Sequence, residues 1–270
     1  MEVAVVGHVE WIRFCRVERV PGPGEIAHST EDWEQAGGGG GVAAIQLAQL
    51  AGQAALYTVL GDDELGRRSR EELEERGVRV HAAVARKPTR WALTQVDERG
   101  ERTITTVGEK LRPRGHDDLL PWHELAGADA VFFGSGDVDA LRWARRARIL
   151  AATARELDTL RRGAVPLDAL IGSANDEAER YRPGDLDPAP ELVVSTSGAL
   201  GGWAQPGGPY TAAPAPGPVE DTYGAGDCFA AGLTYGLACG LGASEAVAFA
   251  ARCGAAALTA RGVAPQPVEL

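Results

Sequence analysis

Lysine is almost missing from this 270-residue chain: Lys87 and Lys110 are the only two. Neither follows a glycine-rich run, which excludes a phosphate loop of the Walker type, whose lysine reaches the β- and γ-phosphates. Net positive charge is missing too. A formal charge of −11 removes any broad attraction to nucleic acid or an anionic bilayer, so a phosphate ligand would need a local site. Cys15, Cys228, Cys239 and Cys253 show no CxxC spacing and no cluster with histidine. Zinc is therefore not expected, and the thiols read as reduced apolar fillers. No run approaches the roughly 20 apolar residues of a membrane helix, and MEVAVVGHVEW enters a strand without a basic leader. The expectation is a cytoplasmic protein.

What is present alternates between two periods. Val3 to Val6 form a continuous apolar run, a strand covered on both faces. Gly37 to Gly41 lead into VAAIQLAQLAG, a closely packed helix, and LYTVLG is a second buried strand. DELGRRSREELEERG reads as a solvent-faced helix with Leu65 and Leu73 inward and Gly77 as its stop. DAVFFG, ILAAT, VPLDALIGS and ELVVSTS supply further strands, with helices over DVDALRWARRA and ARELDTLRRG. Two helices close the chain, the last with Ser244 as its expected N-cap. Two stretches break this rhythm. WIRFCRVERV reads as an exposed strand entering the turn at Pro21 to Gly24, and residues 89–107 as a hairpin turning at Asp97 to Gly100. The pattern predicts one α/β domain with a mostly parallel sheet covered by helices and a small β-lid from about 11–35 and 89–107.

The stretch EDTYGAGDCFAAG, Glu220 to Gly232, sets an acid at a helix start, where an anion is expected to bind. First-turn N–H groups and the helix dipole suit a phosphoryl group, and Gly224, Ala225 and Gly226 leave the approach clear. Asp227 then supplies an acceptor for an incoming hydroxyl's proton beside amides that hold a phosphoryl group, which is the arrangement phosphoryl transfer needs. The same dipole should hold Asp227 as a carboxylate. The plain alternative is a tight turn with an acidic first helical turn, stabilising in itself.

The longer string, Asp221-Thr222-Tyr223-Gly224-Ala225-Gly226-Asp227-x-Phe229-x-x-Gly232, resembles the signature of the ribokinase-like (PfkB) carbohydrate kinases. VERVPGPGE, GGGGGVAAIQLAQLAG, LGDDELGRRSREELEERGV and DERGERTI resemble other segments of that family in order. The resemblance implies a three-layer α/β/α sandwich with a β-lid and phosphoryl transfer from ATP, assisted by Mg²⁺, to a hydroxyl of a small metabolite. A sugar is the leading acceptor and a nucleoside the second. Asp227 would be the base and Gly224, Ala225 and Gly226 the anion hole. Ser195, Ser197, Gly201, Thr222 and Ala251 fall on the ATP side, and Gly38, Gly39, Glu10 and Val42 on the acceptor side. A homodimer through the lid is expected, and a monovalent cation requirement is left open.

Departures from that pattern carry information. An aspartate that binds acceptor hydroxyls falls on Ile12, with Glu10 or His8 as stand-ins unless they simply face solvent. An asparagine after the glycine turn falls on Val42. In the family's Asn-x-x-Glu motif for Mg²⁺, Glu177 fits the glutamate and Ala174 the asparagine, with Asn175 as compensation in a shifted register. Tyr223 replaces a smaller residue and is expected to pack. Trp11, Phe14 and Trp91 are candidates to cover a flat ligand or a dimer contact, and Arg90 and Arg102 to meet an anionic one. Lost polar contacts also leave room for a non-catalytic binding protein, whereas a NAD-binding Rossmann fold is disfavoured because Gly7 lacks a GxGxxG context.

Overall fold

The computed structural model describes residues 1–262 and 268–270. The chain opens with β1 (Val3–Val6), β2 (Glu10–Arg16) and β3 (Glu31–Gly37), followed by α1 (Gly38–Ala51), β4 (Ala54–Gly61), α2 (Glu64–Glu75) and β5 (Val78–Ala85). The hairpin β6 (Trp91–Val96) and β7 (Arg102–Val107) comes next. Then follow β8 (Ala130–Phe133), α3 (Val138–Ala144), β9 (Ile149–Thr153), α4 (Leu157–Gly163), β10 (Ala169–Ser173) and β11 (Leu192–Thr196). The last elements are β12 (Gly202–Gln205), β13 (Gly208–Tyr210), α5 (Ala225–Ala238) and α6 (Ala243–Ala257).

Nine strands build the main sheet in the order β13-β12-β11-β10-β9-β8-β1-β4-β5, parallel except at β12 and β13. Continuous apolar runs such as β1, buried at every residue, fit strands covered on both faces. One layer packs α1, α5 and α6 around Ile45, Leu47, Leu56 and Leu233; the other packs α3 and α4 around Phe133, Leu141, Leu150 and Leu160. The result is the expected α/β/α sandwich. From β1 the chain proceeds to β4 and β5 on one side, then reappears as β8 on the other. Strand direction of travel therefore reverses between β1 and β8, and in such sheets the crevice past the strands' carboxyl ends is where ligands bind.

A second sheet, β3-β2-β6-β7, lies outside the sandwich. The exposed strand expected over WIRFCRVERV is instead buried: Trp11, Ile12 and Phe14 are at most 2% exposed, because this face of the lid packs on the α1 layer. Phe14 stacks on Trp33 at 4.7 Å and meets Tyr223 edge-on at 5.1 Å. Trp11 and Trp91 carry Arg68 and Arg13 on their rings. Trp11 and Phe14 hold the lid to the body and are not free to cover a ligand, whereas Trp91 is half-buried and held within the lid by Arg13. The N-cap of α6 is Gly242, with Glu245 accepting from its N–H at 3.1 Å; Ser244 sits inside the first turn.

Candidate active site

Glycine lets two helix starts and the end of β1 converge. A Cβ on Gly40 would meet the carbonyl oxygen of His8 at 2.6 Å, so only glycine allows α1 to begin against the β1 exit, where Gly40 N–H donates to His8 O at 3.1 Å. Across the gap Gly224 takes φ +75°, and a side chain there would strike Val42 at 2.9 Å. Val42 is therefore a wall for the glycine turn, only 1% exposed, and Ile12 is wholly buried. Neither offers an acceptor contact, and the two polar partners missing from the sequence are replaced by core packing.

Asp227 sits in the first turn of α5 with its Oδ1 3.0 Å from where a Cβ on Gly39 would stand; His8 Cε1 flanks the same point at 3.6 Å. The N–H groups of Ala225, Gly226 and Asp227 precede the first helical bond, from Cys228 N–H to Gly224 O at 2.8 Å, and the space above Gly226 is open. A small hydroxyl and a phosphoryl group thus have adjoining places. Desolvation outweighs the helix dipole here. Burial pushes the Asp227 carboxyl up to about 6, Arg102 and Arg155 pull it down, and Glu179 and Glu10 push it up. The expected depression is reversed, though the group is still mostly a carboxylate at neutral pH.

The surrounding loops are tied together across the sequence. Asp221, fully buried, accepts from Tyr223 N–H at 2.7 Å and Gly262 N–H at 2.6 Å. Tyr223 Oη accepts from Gly38 N–H at 3.0 Å, so the tyrosine both packs and fixes the first turn of α1. Thr222 Oγ1 accepts from Arg102 at 2.9 Å and its N–H donates to Gly100 O at 3.0 Å, joining the lid hairpin to the turn before α5. Thr222 is occupied by the lid.

The acidic segment differs in register from the sequence reading. Glu177 turns to solvent, 77% exposed, and pairs with Arg180. Two residues on, Glu179 accepts from Ser173 N–H at 2.8 Å, shares Arg155 with Asp176, and acts electrostatically on Asp227. Of the acids in this segment, Glu179 is the one that acts on Asp227, with Asp176 tied to it through Arg155. Asp176 also caps the short 3-10 turn over Glu177–Glu179, accepting from Ala178 N–H. That Asx cap is the sequence signal for the shifted register.

Beyond α5 a groove of about 740 Å³ is lined by Ala213, Pro214, Arg252, Ala256, Thr259 and Glu269. Ala251, expected there, faces the core; the neighbouring Arg252 and Ala256 line the groove instead. Ser195 and Ser197 lie at the end of β11, and Gly201, at φ +85°, closes the turn to β12, where a side chain would collide with the Tyr210 carbonyl.

The chain matches the family model described as pfkB family carbohydrate kinase in two overlapping segments, residues 1–159 and 134–269. It is similar to the ATP-dependent ribose-1-phosphate kinase of Halopiger xanaduensis, 28% identical over 275 residues covering 94% of this chain and 91% of that one. It is also similar to the bifunctional protein HldE of Alkalilimnicola ehrlichii, 31% identical over 84% of this chain and 53% of the relative. The ribokinase of Dictyostelium discoideum is 28% identical over 44% and 36% respectively. The chain thus spans about half and about a third of the lengths of these last two. Among solved structures, the ribokinase of Cryptococcus neoformans with ADP superposes with a TM-score of 0.75 at 23% identity, covering 97% and 95% of the two chains. The adenosine kinase of Sinorhizobium meliloti gives 0.76 at 20%, covering 98% and 95%. At these identities the structural likeness is one of fold.

Proposed function

The chain belongs to the pfkB family of carbohydrate kinases, and on that premise we propose that it transfers the γ-phosphoryl group of ATP to a hydroxyl of a small sugar or sugar derivative. The observation that carries this is the position of Asp227, beside the Gly39 gap and within one helical turn of three N–H groups that have no partner among the described residues. The acceptor hydroxyl gives its proton to Asp227 Oδ as its oxygen bonds to the γ-phosphorus. The bond from that phosphorus to the β–γ bridging oxygen breaks, and ADP leaves. Amides of Ala225, Gly226 and Asp227 face the transferred group's oxygens as charge builds. The groove along α6 is the place for adenine, with apolar Ala213, Pro214 and Ala256 against the base.

Mg²⁺ would be held by the oxygen donors Asp176 and Glu179, which it would share with Arg155, the cation that bridges them now. Bound there, it would neutralise phosphate charge during transfer. A dimer through the lid is part of the same reading. β7 is exposed along its whole length, with Leu93, Ile104 and Val107 each about 40% exposed on that hairpin, and an unpaired edge invites a second copy. Sedimentation at micromolar concentration showing only monomer would remove this part.

The deciding measurement is ADP release with Mg²⁺, ATP and a panel of sugars, sugar phosphates, sugar acids and nucleosides. Acceptor-dependent release that disappears in Asp227→Asn supports the kinase. ATP binding without release for any acceptor supports a non-catalytic binder.

A further inference from the structure

Past His8 the crevice is lined by charge that a neutral sugar does not need. Thr89 is pinned to Asp63 through its hydroxyl (2.7 Å) and its N–H (2.8 Å), which fixes the next residue, Arg90, over the β1 exit. The Arg90 side chain, 17% exposed, lies 3.1 Å from Glu10 Oε1 through Nε, yet that buried N–H lacks the alignment of a hydrogen bond. Glu10 Oε1 is 3.5 Å from His8 Nε2. Arg112 reaches in from the mouth to Glu156 at 2.9 Å; the carboxylate is 2% exposed and its Oε1 has no partner among the described residues.

Lys110 completes the group. It is partly buried within electrostatic reach of Glu156, Glu10, Arg90 and Arg112, and has no hydrogen bond or ion pair among the described residues. The other lysine, Lys87, is paired at the surface with Glu109. Three cations thus face two carboxylates, both already engaged by arginines, in a protein whose formal charge is −11. A half-buried ammonium without a partner is costly unless an anion joins it. Burial and the cations Lys110, Arg90, Arg112 and Arg155 hold His8 well below the ordinary histidine range, so it is a neutral imidazole between this group and Asp227.

Resting on the kinase reading above, we infer that the acceptor carries an anionic group, a phosphate or a carboxylate, seated among Arg90, Lys110 and Arg112 while its reacting hydroxyl lies at Asp227. Glu156 Oε1 and His8 Nδ1, both buried and without a hydrogen-bond partner among the described residues, face the hydroxyls between. The anion recruits donors that the protein leaves unused.

The test compares D-ribose, D-ribose 5-phosphate and D-gluconate in ADP release, and measures binding of each by calorimetry without ATP. Wild type, Lys110→Met and Lys110→Arg are used, with thermal melts to establish that each variant is folded. Expected is a kcat/KM at least about tenfold higher for one anionic acceptor than for ribose. Lys110→Met should lose about 10- to 100-fold of it, mainly in KM, with partial recovery in Lys110→Arg. Preference for the phosphate or the acid identifies which anion the site takes. Ribose turned over as well as either anion, or anion affinity unchanged in Lys110→Met, overturns the inference and leaves the kinase reading standing. If none of the three releases ADP and no acceptor of the wider panel does, the kinase reading fails. Calorimetry then decides the anion site by itself: ribose 5-phosphate binding lost in Lys110→Met supports it, and no binding to wild type overturns it.

Discussion

At the scale of single residues, Asp227 has opposite effects on stability and on the proposed reaction. Its carboxyl is raised from the ordinary 3.8 to about 6, so the folded state binds a proton more tightly than the unfolded chain. Stability from this group is full below pH 4 and declines as pH rises toward 6, above which a buried charge is carried. The ceiling on that cost is about 3 kcal/mol, less because the side chain keeps some contact with water. Asp227→Asn should therefore raise the melting temperature at pH 7.5 by roughly 5 °C, while turnover falls by a factor of at least about 10³ and ATP binding is retained. Scanning calorimetry and single-turnover kinetics check the two halves. In the wild type, kcat should fall about tenfold per unit as pH drops below about 6. A flat profile down to pH 5 would remove Asp227 as the base. Gly39→Ala tests the gap itself: a methyl 3.0 Å from Asp227 Oδ1 should cut kcat/KM for the acceptor by about 10- to 100-fold, with the melting temperature nearly unchanged because the position is helical.

At the scale of elements, the lid hairpin and the acidic turn make separate predictions. Arg102 donates to Thr222 O at 2.8 Å and to its Oγ1 at 2.9 Å. Arg102→Ala should raise the acceptor KM several-fold and speed hydrogen exchange in the hairpin more than in β1. Glu179→Gln should lower activity by about tenfold or more and raise the Mg²⁺ concentration needed, whereas Glu177→Gln, on a solvated pair with Arg180, should change it less than twofold. Apolar runs and the glycine-rich signature made β1, α1, α5 and the 89–107 hairpin legible in advance. β3, EDWEQAG, was not, because its outer half is charged and exposed and only Gln35 to Gly37 are buried. The burial of β2 was equally hidden: its alternation looks the same whether the apolar face meets water or α1. β12 and β13, four and three residues long, are too short to show a period. The candidate site was legible where backbone geometry demands a residue type, at Gly224, and where the signature string carries it, at Asp227. It was not where long-range packing decides, as with Val42, Ile12 and Ala251, or where the choice between Glu177 and Glu179 turns on a local cap. Lys110 gave no local signal at all.

For the whole molecule, the 221–227 turn is held by ties that span much of the chain. Thr222 to Gly100 and Arg102 joins residues 122 and 120 apart, Tyr223 to Gly38 joins residues 185 apart, and Asp221 to Gly262 joins 41. Each such tie closes a large loop before it contributes, so folding should complete the sandwich first and set the 221–227 segment late. The segment bonds to Gly100, Gly38 and Gly262 through few contacts, and its opening does not require the nine-stranded sheet to come apart. In a urea titration, enzymatic activity should disappear at a lower denaturant concentration than the far-ultraviolet circular dichroism signal. ATP, by binding the closed segment, should bring the two transitions together.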